Sequence, residues 1–281
     1  MLHHEIIGGG GTRLHLIEAG KQNSQPIVFI HGFSQCSLAW SRQLDSDLAR
    51  DHRLVAMDMR GHGLSDSPRD AYGDGRLWAD DVAATMKELD LDQPILCGWS
   101  YGPLVILDYI RHYGEEAIGG IHFVDGVTKL GSDEAVSVLA PEFLALVPGF
   151  FSTDAETSVR SLESLLRMCV VGQLSPPELY TMLGYNVRVS AHVRQALFSR
   201  VLDNDDLLRS TRKPVLITHG AEDAIVRRAA AEHQRALIAH AELDIMKGAG
   251  HAPFFDDAPA FNRRLAWFAR DVARRRPAVA V

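Results

Sequence analysis

Short apolar runs alternate with longer amphipathic segments along most of this chain. Two runs, at residues 5–7 and 14–18, flank four consecutive glycines, and this pattern predicts a β-hairpin that turns at residues 8–11. Six further runs are continuously apolar rather than alternating, which is typical of strands that are covered on both faces. They lie at residues 27–30, 54–58, 94–99, 121–125, 215–219 and 243–246.

Helical periodicity occupies the gaps between several of these predicted strands. The helical segments are 78–89, 104–113, 227–238 and 261–275. Strands that alternate with helices predict an α/β fold. We expect a mostly parallel, doubly wound sheet that is flanked by helices and begins with the antiparallel hairpin.

The alternation of strands and helices stops between residues 127 and 212. This segment contains no strand-like run and reads as several amphipathic helices. Most of its apolar residues are expected to form the buried stripes of these helices, and the remainder to line a pocket. We therefore predict a core domain formed by residues 1–126 and 213–281, with a helical insertion at 127–212.

Composition and charge narrow the function classes. The 281 residues are 46% hydrophobic and 23% charged, which is typical of a globular protein with a sizeable core. A net charge of -7 supplies no excess of positive charge to attract a polyanion, so we expect no nucleic-acid partner. The three cysteines are widely spaced and predict neither a disulfide framework nor a zinc site. We recognise no signal peptide or membrane span and expect a cytoplasmic protein.

The strongest chemical signal is the segment from Gly98 to Gly102, which reads G-W-S-Y-G. It ends one predicted strand and precedes a predicted helix, the context in which a G-x-S-x-G turn holds a strained and exposed serine nucleophile. Small residues two positions before and after the serine avoid clashes in so tight a turn. The free N–H groups at the start of the helix favour negative charge beside Ser100. Ser100 is therefore the predicted nucleophile.

A serine hydroxyl needs a base to activate it, and the base needs an acid to orient it. His251 is the predicted base, because it follows the last predicted strand in a glycine-rich loop that we expect to be mobile. Asp223 is the predicted acid, since it follows the strand at 215–219, at the sheet edge where α/β proteins collect their sites. Asp125, at the end of another predicted strand, and Glu222 remain alternatives for the acid.

Ser100, Asp223 and His251 follow the nucleophile, acid and base order of α/β-hydrolases, which differs from the order in chymotrypsin-like and subtilisin-like proteins. An H-G-F turn after the strand at 27–30 can place the backbone N–H of Phe33 beside that of Tyr101, and two such donors would form an oxyanion hole. On these motifs the chain resembles the α/β-hydrolase superfamily. The resemblance covers essentially the whole chain outside residues 127–212.

This resemblance implies an α/β-hydrolase fold in which the helical insertion is a cap, with the substrate pocket between cap and sheet. The segment at 58–66, D-M-R-G-H-G-L-S-D, is similar to the family's D-x-R-G-x-G-x-S motif, whose role there is structural. The implied chemistry is acyl transfer, and neither a metal nor an organic cofactor is expected.

Haloalkane dehalogenases and epoxide hydrolases carry an aspartate at the turn where this chain has a serine. The pattern is most similar to small esterases and to the cofactor-free haloperoxidase or perhydrolase group. That group typically has a proline where this chain has Ser34, so we do not expect efficient perhydrolysis. Carbon–carbon hydrolases of aromatic degradation usually show G-N-S-x-G-G, from which Trp99 and Pro103 depart.

We therefore predict a carboxylesterase-like serine hydrolase that forms an acyl-enzyme. Trp99 and the aromatic and methionine residues of the insertion predict a small to medium apolar acyl group. Perhydrolase, lactonase, amidase and carbon–carbon hydrolase activities stay open, because pocket shape decides among them. A slow-turnover, ligand-sensing protein or an inactive structural module on the same scaffold also stays open, since a fold does not fix a function. The expected partner is a small ester-like molecule rather than a membrane, and a homo-oligomer is compatible with the sequence.

Overall fold

An eight-stranded sheet forms the centre of the protein in a computed structural model, which describes residues 1–275. Residues 276–281, which the sequence assigns to the core domain, lie outside the described part. The sheet has the strand order β1-β2-β4-β3-β5-β6-β9-β10. Its strands are β1 (Leu2–Ile7), β2 (Arg13–Gly20), β3 (Pro26–Ile30), β4 (Arg53–Met57), β5 (Ile95–Trp99), β6 (Gly120–Val124), β9 (Val215–Gly220) and β10 (Glu242–Met246).

The predicted hairpin and the predicted parallel sheet are both confirmed. β1 pairs antiparallel with β2, and β2 pairs antiparallel with β4, while every later pairing in the sheet is parallel. The hairpin turns through Gly10 and Gly11, whose φ angles of +63° and +76° lie in the left-handed region that favours glycine. β3, β5, β6 and β9 are buried along their whole lengths, as their continuous apolar sequences predict.

Helices surround the sheet. They are α1 (Ser41–Leu44), α2 (Leu48–Asp51), α3 (Gly75–Glu88), α4 (Gly102–Tyr113), α5 (Asp133–Ser137), α6 (Pro141–Phe150), α7 (Ala155–Cys169), α8 (Pro176–Arg188), α9 (Ala191–Phe198), α10 (Asp205–Ser210), α11 (Ala229–Leu237), α12 (Pro253–Asp256) and α13 (Ala258–Arg274). Two sets of these helices pack among themselves: the first contains α1, α2, α12 and α13, and the second contains α3, α4, α10 and α11. Two 3₁₀ turns, Gly9–Gly11 and Ser37–Trp40, lie in the loops.

The segment from 127 to 212 is mainly helical, as predicted, and it contains α5 to α10. It also contains two short strands that the sequence does not predict, β7 (Lys129–Leu130) and β8 (Leu202–Asp203), which pair antiparallel near the two ends of the segment. Two-residue strands carry no periodic signal, so their pairing arises only from the tertiary fold. Ser175 and Glu178 form a reciprocal capping box at the start of α8.

The motif at 58–66 is held by internal hydrogen bonds. The carboxylate of Asp58 accepts the N–H of Ser37 at 2.7 Å and that of Leu64 at 2.9 Å. Gly63 has φ +53°, and a Cβ there would lie 2.2 Å from Cγ of Asp58. Arg60 is buried and forms a 2.7 Å ion pair with Asp81 of α3. These contacts are those of a motif that supports a loop. Among the described residues, no helix combines the length and the apolarity needed to cross a bilayer.

Candidate active site

Ser100 lies in a strained turn between β5 and α4. Its φ of +57° is left-handed for a residue with a side chain, a conformation that costs about 1–3 kcal/mol and tends to occur at functional sites. The turn is fixed by the N–H of Ser100, which donates to the carbonyl of Val124 at 2.9 Å, and by the N–H of Val127, which donates to the carbonyl of Ser100 at 3.0 Å. The predicted position of the serine between strand and helix is therefore the observed one.

Two glycines allow the turn to form because no Cβ would fit at either position. A Cβ on Gly98 would lie 2.7 Å from backbone atoms of Gly102 and Pro103. A Cβ on Gly102 would lie 2.6 Å from the carbonyl oxygen of Ile30. Both distances are well inside van der Waals contact, which explains the G-x-S-x-G pattern physically.

The structure brings His251 to Asp223. Nδ1 of His251 lies 2.8 Å from Oδ2 of Asp223, so the ring donates this hydrogen bond to the carboxylate. The other oxygen of Asp223 accepts the N–H groups of Ile225 at 2.8 Å and Val226 at 3.0 Å. Burial tends to raise the pKa of Asp223, but His251 and the other donors outweigh it and hold the pKa below its usual value. Asp223 is therefore a carboxylate at neutral pH.

In the described part of the chain, neither Asp125 nor Glu222, the alternative acids, forms a hydrogen bond or an ion pair with His251. Asp125 follows β6 and is fully buried, and its Oδ1 accepts the N–H of Gly220 at 2.8 Å. Glu222 is exposed. Of the three acids that the sequence brings into consideration, Asp223 is the one that the structure places against the imidazole.

The loop that carries His251 is held by three hydrogen bonds. Nε1 of Trp99 donates to the carbonyl of His251 at 2.6 Å, and the two rings lie 5.6 Å apart. The N–H of Gly250 donates to Asp256 at 2.8 Å, and the N–H of Ala252 donates to the carbonyl of Cys169 in α7 at 2.8 Å. Trp99 and Cys169 come from segments that are distant in the sequence, so local sequence does not indicate these contacts.

Phe33 and Tyr101, the predicted oxyanion donors, line the same cavity as Ser100. Gly32 makes this approach possible, since a Cβ there would lie 3.0 Å from Cβ of Ser100. Within residues 1–275, neither the N–H of Phe33 nor that of Tyr101 donates to a backbone carbonyl. Both donors are thus available to a bound group.

The cavity above Ser100 has a volume of about 360 Å³ and mostly apolar walls. Lys129 lines it, but the Lys129 ammonium is paired with Glu134 at 2.8 Å and Asp205 at 3.0 Å. A recess of about 30 Å³ is lined by Ser100, His251 and Trp99 together. The helical insertion contributes to the large cavity the apolar residues Val127, Leu130, Ala135, Val136, Leu139, Phe143, Leu144, Val147, Pro148 and Phe198.

Among residues 1–275, two groups of side chains have ligand atoms close enough together to hold a metal ion. Each group places its atoms within 4.8 Å of one another, but Asp223 already accepts from His251, and Asp205 already binds Lys129. These partners do not favour a metal in either group. The groups are Asp125, His219 and Asp223, and Glu134, Asp205 and His233.

Sequence reasoning missed two polar partners of this region. The sequence indicates Trp99 only as an apolar neighbour of Ser100, although its indole N–H donates to the carbonyl of His251 and holds that loop. Arg200, in the insertion, donates to the hydroxyl of Tyr101 at 3.2 Å and forms an ion pair with Asp108 of α4 at 2.7 Å. No local pattern could have indicated either contact, because each joins segments far apart in the sequence.

Comparison with known proteins finds esterases and a non-heme chloroperoxidase that are similar to this chain. The esterase RhEst1 from Rhodococcus sp. ECU1013 is 34% identical and superposes with a TM-score of 0.90 over 97% of this chain and 100% of its own. A Burkholderia cenocepacia protein described as a candidate aryl esterase is 32% identical, with a TM-score of 0.91 over 98% of this chain and 100% of its own. A non-heme chloroperoxidase of Streptomyces lividans is 28% identical, with 92% of this chain and 97% of the relative covered.

The family model described as "alpha/beta hydrolase fold" matches residues 25–258. The chain therefore belongs to the α/β-hydrolase family, as an enzyme of its esterase and haloperoxidase-like group.

Proposed function

We propose that this enzyme is a serine esterase that cleaves carboxylic esters of small to medium apolar acyl groups through an acyl-enzyme on Ser100. One observation carries the proposal. His251 is hydrogen-bonded through Nδ1 to Asp223 and lines a single recess together with Ser100, whose backbone is strained. A nucleophile, a base and an orienting acid in this arrangement are the requirements of acyl transfer.

In the proposed reaction, the hydroxyl oxygen of Ser100 attacks the ester carbonyl while Nε2 of His251 accepts its proton. Asp223 keeps the proton of His251 on Nδ1, so that Nε2 is the nitrogen available to the serine. The protonated His251 then donates its proton to the departing alkoxide, which leaves as an alcohol. Water attacks the acyl-enzyme with His251 again as the base, and the carboxylic acid and free Ser100 are formed.

The oxyanion of the tetrahedral intermediate is proposed to lie between the N–H groups of Phe33 and Tyr101. Their lack of backbone acceptors within the described residues and their place beside Ser100 support this role. Tyr101 also precedes α4, whose N-terminal end favours negative charge. Donors already in place at a developing charge contribute about 10²–10³-fold in rate each.

The acyl preference is inferred from the cavity walls. A volume of about 360 Å³ is within the ~300–1,000 Å³ typical of small-molecule sites, and apolar walls favour an apolar acyl group. Most of these walls come from residues 127–212, which we propose act as a cap over the core formed by residues 1–126 and 213–281. The substrate is then a small ester held between cap and sheet.

Ester hydrolysis is favoured over perhydrolysis by the backbone at Ser34. This residue follows the H-G-F turn and has φ +60°, which a proline cannot adopt because its ring fixes φ near -65°. The proline typical of perhydrolases would therefore not fit this loop without rearranging it. We expect little peracid formation from acetic acid and hydrogen peroxide, relative to ester hydrolysis by the same preparation.

The first test is the steady-state rate on p-nitrophenyl acetate, butyrate, octanoate and palmitate. We expect multiple turnover that is highest for a short or medium chain and falls at palmitate. Ser100→Ala should lower kcat/KM roughly 10⁴-fold or more, because the covalent route is lost. Ser210→Ala, at an exposed serine in α10, is the matched control and should keep full activity.

Other outcomes would contradict the proposal in different ways. A rate that rises steadily to palmitate would overturn the acyl preference. Lactone, amide or carbon–carbon substrates that turn over much faster than any ester would reassign the reaction. A single slow acylation without turnover would favour a ligand-sensing protein instead.

The assignment of the acid has its own test. Asp223→Asn should lower kcat by about 10⁴-fold, since an amide cannot stabilise the imidazolium or keep the proton on Nδ1. Asp125→Asn should keep most of the activity. The reverse pattern, with an inactive Asp125→Asn enzyme and an active Asp223→Asn enzyme, would make Asp125 the acid.

A further inference from the structure

A second buried acid, Asp125, lies beside Asp223, and only one of its two carboxyl oxygens has a hydrogen-bond partner among the described residues. Oδ1 of Asp125 accepts the N–H of Gly220, but Oδ2 has no hydrogen-bond partner among the described residues. The backbone of Asp125 has φ +44°, a strained value for a residue with a side chain. A buried carboxyl oxygen without a partner is rare in folded proteins and needs a physical explanation.

His219 of β9 lies between the two acids. Its Nδ1 is 3.5 Å from Oδ1 of Asp125, and its Nε2 is 3.8 Å from Oδ2 of Asp223. Both distances are too long for good hydrogen bonds, and neither ring nitrogen has a hydrogen-bond partner in the described part of the chain. Ligand atoms of all three side chains lie within 4.8 Å of one another, so they form one buried polar cluster.

Two carboxyl groups this close in a buried site cannot both be ionised at low cost. Asp223 keeps its negative charge because His251 and two backbone N–H groups donate to it. Asp125 has one backbone donor and lies near the carboxylates of Asp223 and Asp256. Burial first, and then these negative charges, raise the pKa of Asp125 well above its usual value.

The other titratable groups near the cluster supply no compensating positive charge to Asp125. Burial lowers the pKa of His219, which is therefore neutral at pH 7. Burial raises the pKa of the Cys169 thiol in α7, which also stays neutral. Asp256 of α12 is half-buried and adds negative charge. The proton thus belongs on Asp125.

We propose that Asp125 is a positioning residue that keeps its own proton and donates it in a hydrogen bond from Oδ2 to the carboxylate of Asp223. The inference rests on the proposed function, in which Asp223 orients His251. The pair then carries a single negative charge, on Asp223. The hydrogen bond from Asp125 fixes the rotation of the Asp223 carboxylate, so that one of its oxygens faces Nδ1 of His251. Asp125 lines neither cavity beside Ser100, so it acts through Asp223 and not on the substrate.

The Asp125→Asn variant tests whether the side chain of Asp125 is neutral or ionised in the wild type. Asparagine tolerates the left-handed backbone, and its N–H₂ group replaces the proposed O–H donor. We expect kcat/KM within about twofold of the wild type and an unchanged acidic limb of the pH profile. If Asp125 were ionised, the substitution would remove a negative charge near His251 and shift that limb to lower pH by about one unit, which would overturn the proposal.

Asp125→Ala removes the donor altogether. We expect kcat to fall between about 10- and 100-fold, the size of effect that a misplaced reacting group produces, with KM within about twofold. Full activity in Asp125→Ala would show that no positioning is needed. A loss of activity shared equally by Asp125→Asn and Asp125→Ala would also overturn the role of a neutral donor.

Infrared spectroscopy tests the proton directly and stays informative if Asp125→Ala does not fold. At pH 7 the wild-type spectrum should contain the carbonyl stretch of a protonated carboxyl group. The difference spectrum should show that Asp125→Asn lacks this band. Asp45→Asn, at an exposed aspartate, is the matched control and should retain that band. Absence of the band in the wild type would refute the proposal whether or not the enzyme is an esterase. The proposed function fails separately, if Ser100→Ala retains activity.

Discussion

Glycine has opposite effects on stability at two positions of this protein. At Gly102 the Ile30 carbonyl fills the space that a side chain would need, with only 2.6 Å between its oxygen and a Cβ. At Gly184, an exposed residue of α8, a Cβ would meet no atom within 4 Å. The first glycine makes the Ser100 turn possible, whereas the second only increases the entropy that the chain loses on folding.

Alanine substitutions at these two glycines should therefore change stability in opposite directions. Gly102→Ala forces the backbone of the turn to move, and we expect a loss of about 1–3 kcal/mol with loss of activity. Gly184→Ala should stabilise the protein by about 0.4–1 kcal/mol and leave activity unchanged. Urea denaturation and ester hydrolysis measure both effects. An active, fully stable Gly102→Ala protein would contradict the steric account of the turn.

At the scale of elements, a buried ion pair joins the helical insertion to α4. Arg200 follows α9, and its guanidinium binds both oxygens of Asp108 at 2.9 and 2.7 Å, with only 2% and 7% of the two side chains exposed. The same guanidinium donates to the hydroxyl of Tyr101, the residue after Ser100. Burial raises the pKa of Asp108 to about 6, against the opposing charge of Arg200.

Arg200→Met should destabilise the protein by about 3–5 kcal/mol, because it leaves Asp108 buried without a partner. Adding Asp108→Leu should recover most of that loss, since both charges are then absent. Arg111→Met is the control, because Arg111 lies in α4 together with Asp108. Its ion pair with Asp206 is exposed, so the expected loss is under about 1 kcal/mol. Equal losses from Arg200→Met and Arg111→Met in thermal or urea denaturation would show that burial is irrelevant here.

At the scale of the whole molecule, several buried histidines make the stability depend on pH. Burial is the main cause that lowers the pKa of His31 to about 4 and the pKa values of His62 and His122 to about 3. In the unfolded chain these groups have pKa values near 6.5, so the unfolded state binds more protons below that pH. Their contribution is complete above pH 6.5 and decreases as the pH falls towards 4.

Each of these histidines should lower the free energy of unfolding by about 1.4 kcal/mol per pH unit as the pH falls from 6 to 4. Asp108 and Asp125 oppose this loss in the same range, because burial raises their pKa values and the folded state binds their protons first. His122→Gln removes one titrating histidine, so its free energy of unfolding, measured by urea denaturation, should fall more slowly than that of the wild type by about 1.4 kcal/mol per pH unit. Identical pH dependences for the two proteins would contradict the lowered pKa of His122.

Much of the architecture follows from local sequence. Continuous apolar runs predict the parallel strands because both faces of the sheet are covered, and the G-W-S-Y-G turn predicts the place of Ser100 because strand, turn and helix are adjacent in the chain. The proximity of Asp223 and His251 also follows from the sequence, because each lies in the loop after a strand that ends at the same edge of the sheet. The cluster around Asp125 was not, because it depends on β6 pairing with β9, two strands separated by the whole insertion.

The ribosome synthesises the two halves of the candidate site at different times, because they lie far apart along the chain. Trp99 and His251 are joined by a hydrogen bond across 152 positions of sequence. A ribosome adds about 5–20 residues per second, so Ser100 is synthesised on the order of ten seconds before His251. Until then the chain carries the proposed nucleophile without its proposed base. On the proposed mechanism, hydrolysis begins only after the last parallel strand and its loop have been made, and a chain that ends before β10 cleaves no ester.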